Sequence, residues 1–442
     1  MAGFWRQFHG GPGNRGFAFV STQPANSPKW RTEIGQVGYA SPAVSLNGMV
    51  YVGTLNDELV AINPNGTIAW RREMTPGHGR SIMSGAPAID GDGNIYIITT
   101  KAAQATDHRD ENPRRRLQLN STLHSFDPAG NRRWFFNFPS SDNPDIPGGF
   151  TFSAPKIFTG QETFIFVPVR FAKYDFALDI MVLDQAGEVV HRRNIVDYPP
   201  SPIVGESNID DILSDIWDFI SSPIDFDVSG VDTGIKPLEE VFGWAEPTLA
   251  IADFSPHNNR PIIIIEDGAK TLAAFRFQNR RLTKLWSKTD SKFRGGTSPA
   301  AFVNGTIAVG RRDGTLALYH LRSGDEYAKP WYKAKKPIYA SPVSFGRQIY
   351  FVAKQEVIML ESDGQLLQSF RTIGTSLAAP ALSGSHLFVS AQDGLWTFNF
   401  DVERVAKNDD FRGGVSSPAI ADDGTVYAID LEGVLWAFGG RS

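Results

Sequence analysis

Two copies of a four-residue phrase in this chain have the chemistry to hold negative charge. Phe293-Arg294-Gly295-Gly296 and Phe411-Arg412-Gly413-Gly414 each stand just ahead of a short apolar stretch, and Gly77-His78-Gly79-Arg80 and Lys335-Lys336 occupy matching places. Gathered at one mouth, Arg80, Arg294, Arg412, Lys335 and Lys336 would form a cationic ring suited to an anion or an acidic segment. The plainer reading gives the Gly-Gly pair to a tight chain turn and leaves the arginine as its cover.

Other groupings carry less. Asp90-Gly91-Asp92-Gly93-Asn94 has the start of a calcium loop but no downstream glutamate, and reads as a hairpin turn. Gly11-Pro12-Gly13-Asn14-Arg15-Gly16 fits G-x-G-x-x-G, yet no strand precedes it and no helix pattern follows, so a dinucleotide site is rejected. The eight histidines show no metal-ligand spacing, and no G-x-S-x-G is present. Arg114-Arg115-Arg116 shares its loop with Asp110 and Glu111 and reads as solvated charge. With no cysteine, disulfides, thiolate metal sites and a cysteine nucleophile are excluded. A net charge of −5 argues against a nucleic-acid face across the molecule.

The elements that must position these residues repeat. Ala40 to Trp70 reads at period two as three short strands and the start of a fourth, with turns at Asn47-Gly48 and Asn63-Pro64-Asn65-Gly66. The phrase returns at Pro42, Pro87, Pro155, Pro247, Pro299, Pro342, Pro380 and Pro418, at intervals of 45, 68, 92, 52, 43, 38 and 38 residues. Ala61 to Trp70 and Ser125 to Trp134 close on A/S-x-N/D-P-x-G-x-x-x-W, while Trp286 and Trp331 end looser versions. Eight units of this size predict an all-β fold: one eight-bladed β-propeller domain over residues 1–442, with four-stranded antiparallel blades. The last unit, from Pro418, has three strands, and Pro28 to Glu33 is a surplus outer strand, so the N-terminal strand should close the ring. Residues 1–27, rich in Gly, Pro and Asn, are expected to run over the surface.

In such blades the first and third turns share one face, and the second turns and the crossings between blades share the other. The tight turns fall on the first face. The insertions Lys101–Asn120, Asn137–Phe152, Arg170–Asp179 and Ile195–Trp244 all fall on the second, which marks it as the functional face. Residues 195–244, between blades 3 and 4, carry eleven acidic residues against one lysine. That leaves 42 lysines and arginines against 37 acids elsewhere. Ser207 to Ile220 has helical spacing, with a capping box at Ser207 and Asp210. Its apolar stripe either packs on the propeller or docks a partner. On this face Tyr174, Phe176, Ile212, Trp217, Phe219 and Ile220 are the partner-binding candidates.

The strand–turn–strand phrase ending in Trp resembles the pyrroloquinoline-quinone-type (PQQ-like) propeller repeat. Trp5-Arg6-Gln7-Phe8-His9-Gly10-Gly11-Pro12-Gly13-Asn14-Arg15-Gly16 is also similar to the W-x-Q-F-x-G-x-x-x-N-x-G opening of that family. The family holds quinone-dependent dehydrogenases and cofactor-free relatives, among them the propeller lipoprotein of the outer-membrane barrel-assembly machinery. Many of the dehydrogenases set a vicinal cysteine pair against the cofactor, which this chain lacks, and a calcium shell is not recognisable. The resemblance therefore implies the cofactor-free branch: a non-enzymatic scaffold for another protein, with no cofactor and no metal. The alternatives are a PQQ- and calcium-dependent dehydrogenase and a glycan or small-anion binding module. No apolar run is long enough to span a bilayer. No lysine-flanked apolar stretch follows Met1, so the sequence as given reads as cytoplasmic, whereas much of the family is periplasmic or envelope-bound.

Overall fold

The computed structural model describes residues 5–37, 40–75, 83–106, 115–138, 149–151, 153–171, 177–196, 249–252, 260–267, 271–289, 297–302, 304–311, 313–327, 332–371 and 373–440. They form eight antiparallel sheets, the blades of an eight-bladed propeller. Blade 1 runs outward through Ala43–Val44, Val50–Gly53, Glu58–Ile62 and Ile68–Glu73. Blade 2 departs slightly, since its inner position is split into Met83–Ser84 and Ala88–Ile89. In blade 5, single bridges at Thr315–Lys333 and Tyr319–Glu326 stand where the outer strand would be. Pro28–Glu33 pairs with Val434–Gly439, and the ring closes as expected.

Burial follows from the stacking of blades. Val50–Gly53 and Thr306–Gly310 are buried at every residue, because neighbouring blades cover both faces of a middle strand. Alternation survives in outer strands such as Pro28–Glu33, where one face meets water. The repeat's Gly and Trp have distinct partners. Trp70 of blade 1 donates its indole N–H to the Pro128 carbonyl of blade 2 at 3.3 Å, with its ring over Gly130. Gly130 has φ +82°, and a Cβ there would lie 2.8 Å from the indole. Trp30 meets Pro64 and Gly66 in the same way, Trp134 meets Gln185 and Gly187, and Trp286 meets Leu321 and Gly324. Each Trp thus docks on the glycine turn of the next blade.

Two expectations change. Residues 1–27 were expected on the surface, yet Trp5, Gln7, His9, Asn14 and Ala18 are buried. The segment 5–18 lies across the axis at the tight-turn end of the inner strands. There Val44, Ile89, Ile251, Ala301 and Leu382 donate main-chain N–H groups to the carbonyls of Trp5, Arg6, Pro12, Gly13 and Gly16, at 2.7–2.8 Å. The physical reason is that inner strands leave one edge unpaired toward the axis, and this segment supplies acceptors for it. The second change concerns insertion boundaries. Ile95–Thr106 and Arg115–Phe126 stay in register from Lys101–Asn120 out to Thr106–Arg115, so the Lys101–Asn120 loop is largely an extension of the blade 2 hairpin. Likewise Arg170 and Asp179 are strand residues, paired out to Phe171–Ala177. Ile195 and Val196, the start of the 195–244 insertion, end the outer strand Val189–Val196, and the helix expected over Ser207–Ile220 lies outside the described residues. Among the described residues, no helix is long and apolar enough to cross a membrane.

Candidate functional site

The insertion-bearing face is built from second turns and crossings, and several of its described charges are committed locally. Lys101 of blade 2 reaches back to the buried Asp57 of blade 1 at 2.8 Å, tying the two second turns together. Asp179 takes Arg192 and Asn194 from its own blade. Asp267 caps Thr271 N at 2.9 Å, and its carbonyl accepts from Arg170 of blade 3. Lys407 lies between Asp393 and Asp409 at 3.1 and 2.9 Å, with its ammonium 4.6 Å from the Trp396 ring centroid. Burial works against the charge on Lys407, but the two carboxylates outweigh it and raise the pKa. Asp430 accepts from the Trp436 indole at 2.7 Å, and burial pushes its carboxyl upward.

These carboxylates serve their own blade or the seam with the neighbouring one. Among the described residues, no three of His, Asp and Glu gather as a metal site. Asp90, in the calcium-like sequence, lies on the opposite face. It is engaged by Asn94, Tyr96 and Gln185, as a hairpin turn requires.

Of the five cation candidates, Arg412, Lys335 and Lys336 are described, while Arg80 and Arg294 lie outside the described residues. Arg412 donates to the carbonyls of Asp409 and Phe411, which anchors it to its own loop. Phe411 is buried edge-on to Trp436, and Gly414, at φ +103°, sits where a Cβ would meet the Thr375 carbonyl. The second Phe-Arg-Gly-Gly copy therefore turns the chain tightly into blade 8, in keeping with the plainer reading. Lys335 and Lys336 are exposed in the crossing from blade 5 to blade 6. Arg412 stands in the crossing from blade 7 to blade 8, two crossings on from the lysine pair. Tyr174, Phe176, Ile212, Trp217, Phe219 and Ile220 lie outside the described residues.

Sequence reasoning missed the group at the other end of the axis. Gln7 pairs both main-chain groups of Ile157, at 2.8 and 2.9 Å. Asn14 Nδ2 donates to Leu249 and Pro299, and Lys156 reaches the carbonyls of Phe8 and Gly11. The available signal was the run Trp5, Gln7, His9 and Asn14 among glycines, side chains too specific for a plain surface tail.

No family model matches the chain, and no curated protein matches it in sequence. Solved structures share the fold. BamB from Moraxella catarrhalis superposes with a TM-score of 0.58 at 12% identity, covering 95% of this chain and 100% of its own. Sqt1 from Saccharomyces cerevisiae gives 0.57 at 10%, covering 95% and 100%. A quinohemoprotein alcohol dehydrogenase, ADHIIG from Pseudomonas putida HK5, gives 0.61 at 10%, covering all of this chain and 76% of the other. At such identities the likeness is one of fold, within which activities differ.

Proposed function

We propose that this propeller is a non-enzymatic scaffold and that another protein binds its insertion-bearing face. The observation that carries the reading is the inequality of the two faces. One is made of tight turns, with its axial mouth crossed by residues 5–18. The other receives every long insertion, including the extended blade 2 hairpin and the acidic 195–244 segment. A rigid ring with variable loops on one side is a geometry suited to recognition. Asp57, Asp179, Asp393 and Asp409 of that face are each paired with a neighbouring base, which supports a binding role over a catalytic one.

The absence of cysteine makes the test direct. Single cysteines at Lys335, on the insertion face, and at Asn47, on the tight-turn face, can each carry a thiol-linked photo-crosslinker in native extract. Discrete adducts from Lys335→Cys alone, lost when 195–244 is replaced by a Gly/Ser linker, are expected. Adducts from Asn47→Cys alone would overturn the choice of face. A linker variant that no longer folds would make 195–244 part of the core.

A further inference from the structure

The segment 5–18 is seated in the ring as a ligand would be. It belongs to no blade, and it is held by inner-strand N–H groups and a few side chains. Two of the groups that hold it are bases. Lys156 of blade 3, fully buried, places its Nζ 2.6 Å from the Phe8 carbonyl and 2.8 Å from that of Gly11. His9, also fully buried, has Nδ1 2.9 Å from the Asn14 carbonyl and Nε2 2.9 Å from the Pro380 carbonyl of blade 7.

Among the described residues, the surroundings of His9 hold no counter-charge. Its own segment packs Trp5 edge-on and Phe8 obliquely against the ring, and Gly16 lies so close that a Cβ would fall 2.2 Å from Nε2. Blade 7 presents only a carbonyl, and the inner strand of blade 8, Ala419–Ile420, is apolar. Blade 6 contributes Val343, which shares the Gly16 contact, and among the described residues the charged group acting on the ring is Lys156 of blade 3. Arg6, further along the segment, has Asp90 and Asp422 near it.

We propose that His9 and Lys156 form an acid-operated release for this segment: a proton arriving at His9 places a second cation on a dry turn without a carboxylate, and residues 5–18 leave the axial mouth. Two effects compete at His9. The paired carbonyls favour an imidazolium, since a neutral ring has one N–H to give. Burying a cation without a counter-ion costs more than one hydrogen bond returns, so burial wins. In accord with this, burial, followed by Lys156, holds His9 down to about 4 against an ordinary 6.5. Burial lowers Lys156 as well.

The sign follows. A histidine depressed in the seated state binds its proton more readily once released, so seating is favoured above pH 6.5 and weakens as pH falls toward about 4. Lys156, lowered from its own higher value, adds the same sign. The shift of one proton amounts to about tenfold per pH unit in the opening equilibrium.

Hydrogen exchange on the full chain, corrected for intrinsic rates, tests this at the amides of Val44, Ile89, Ile251, Ala301 and Leu382. Their protection should drop about tenfold per unit between pH 6.5 and 4, while middle-strand amides such as Val52 and Ile264 hold. His9→Gln, which takes no proton, should flatten the dependence. Protection of the five amides that persists at pH 4, loss only together with the middle strands, or a His9→Gln profile equal to the parent's would each overturn the proposal. Should the variant fail to seat the segment, an NMR titration of His9 in the parent decides. Proton uptake coincident with opening supports the release, and uptake with the amides still protected refutes it.

Discussion

Gly130 and Gly305 make a matched pair, since both have φ +82° but only Gly130 lies under a tryptophan. Gly305→Ala pays only for its backbone region, about 1 kcal/mol. Gly130→Ala must in addition displace Trp70, at roughly 1–3 kcal/mol more. Denaturant midpoints of the two variants, at equal slope, measure the difference, and equal midpoints would show that the indole contact adds nothing. The N/D-P-x-G-x-x-x-W spacing was legible in the sequence, but the contact was not. The pattern places Gly66 and Trp70 in one blade, whereas Trp70 meets Gly130 of the next. His124 belongs to the same scale. It is buried beside Thr99, and burial, with Arg132 and Lys101, pushes it down to about 3. It therefore opposes acid in the folded ring, with stability lost as pH falls from 6.5 toward 3, and His124→Gln should shift the acid midpoint of global melting downward.

At the scale of elements, the strands were readable because turn glycines and apolar runs are local signals. The closing strand was readable by counting, since Pro28–Glu33 is the strand the last blade lacks. The axial segment was not, because its partners are main-chain N–H groups that come together only in the finished ring. The two parts are separable by deletion. Removing residues 1–34 exposes the edge of Val434–Gly439, and aggregation or loss of cooperative melting is expected. Removing residues 1–18 leaves that pairing and should give a monomer with a lower melting temperature. Calorimetry with size-exclusion chromatography distinguishes them, and a soluble monomer of unchanged melting from the longer deletion refutes the closing role. Trimming the blade 2 hairpin to a two-residue turn between Lys101 and Asn120 should leave melting unchanged, because beyond those residues the two strands pair with each other and the described inner and outer strands no longer reach them.

For the molecule as a whole, ring and blade number followed from the repeat, while the choice of ligand did not, because the partner candidates lie in insertions with no strand period. The dehydrogenase alternative is settled by reconstitution with quinone and calcium. No dye reduction above a blank is expected with alcohols or aldose sugars, and turnover lost in Arg412→Ala would reverse the assignment. The pairing of Pro28–Glu33 with Val434–Gly439 also bears on how the chain is made. A ribosome delivers the first of these strands roughly 400 residues ahead of its partner. At roughly 5–20 residues per second the wait is on the order of 20–80 seconds. Throughout that interval Trp30 has its Gly66 dock, formed early in synthesis, but no sheet to belong to. That early contact can park the waiting strand beside blade 1, so that the final blade is templated on a strand already in place.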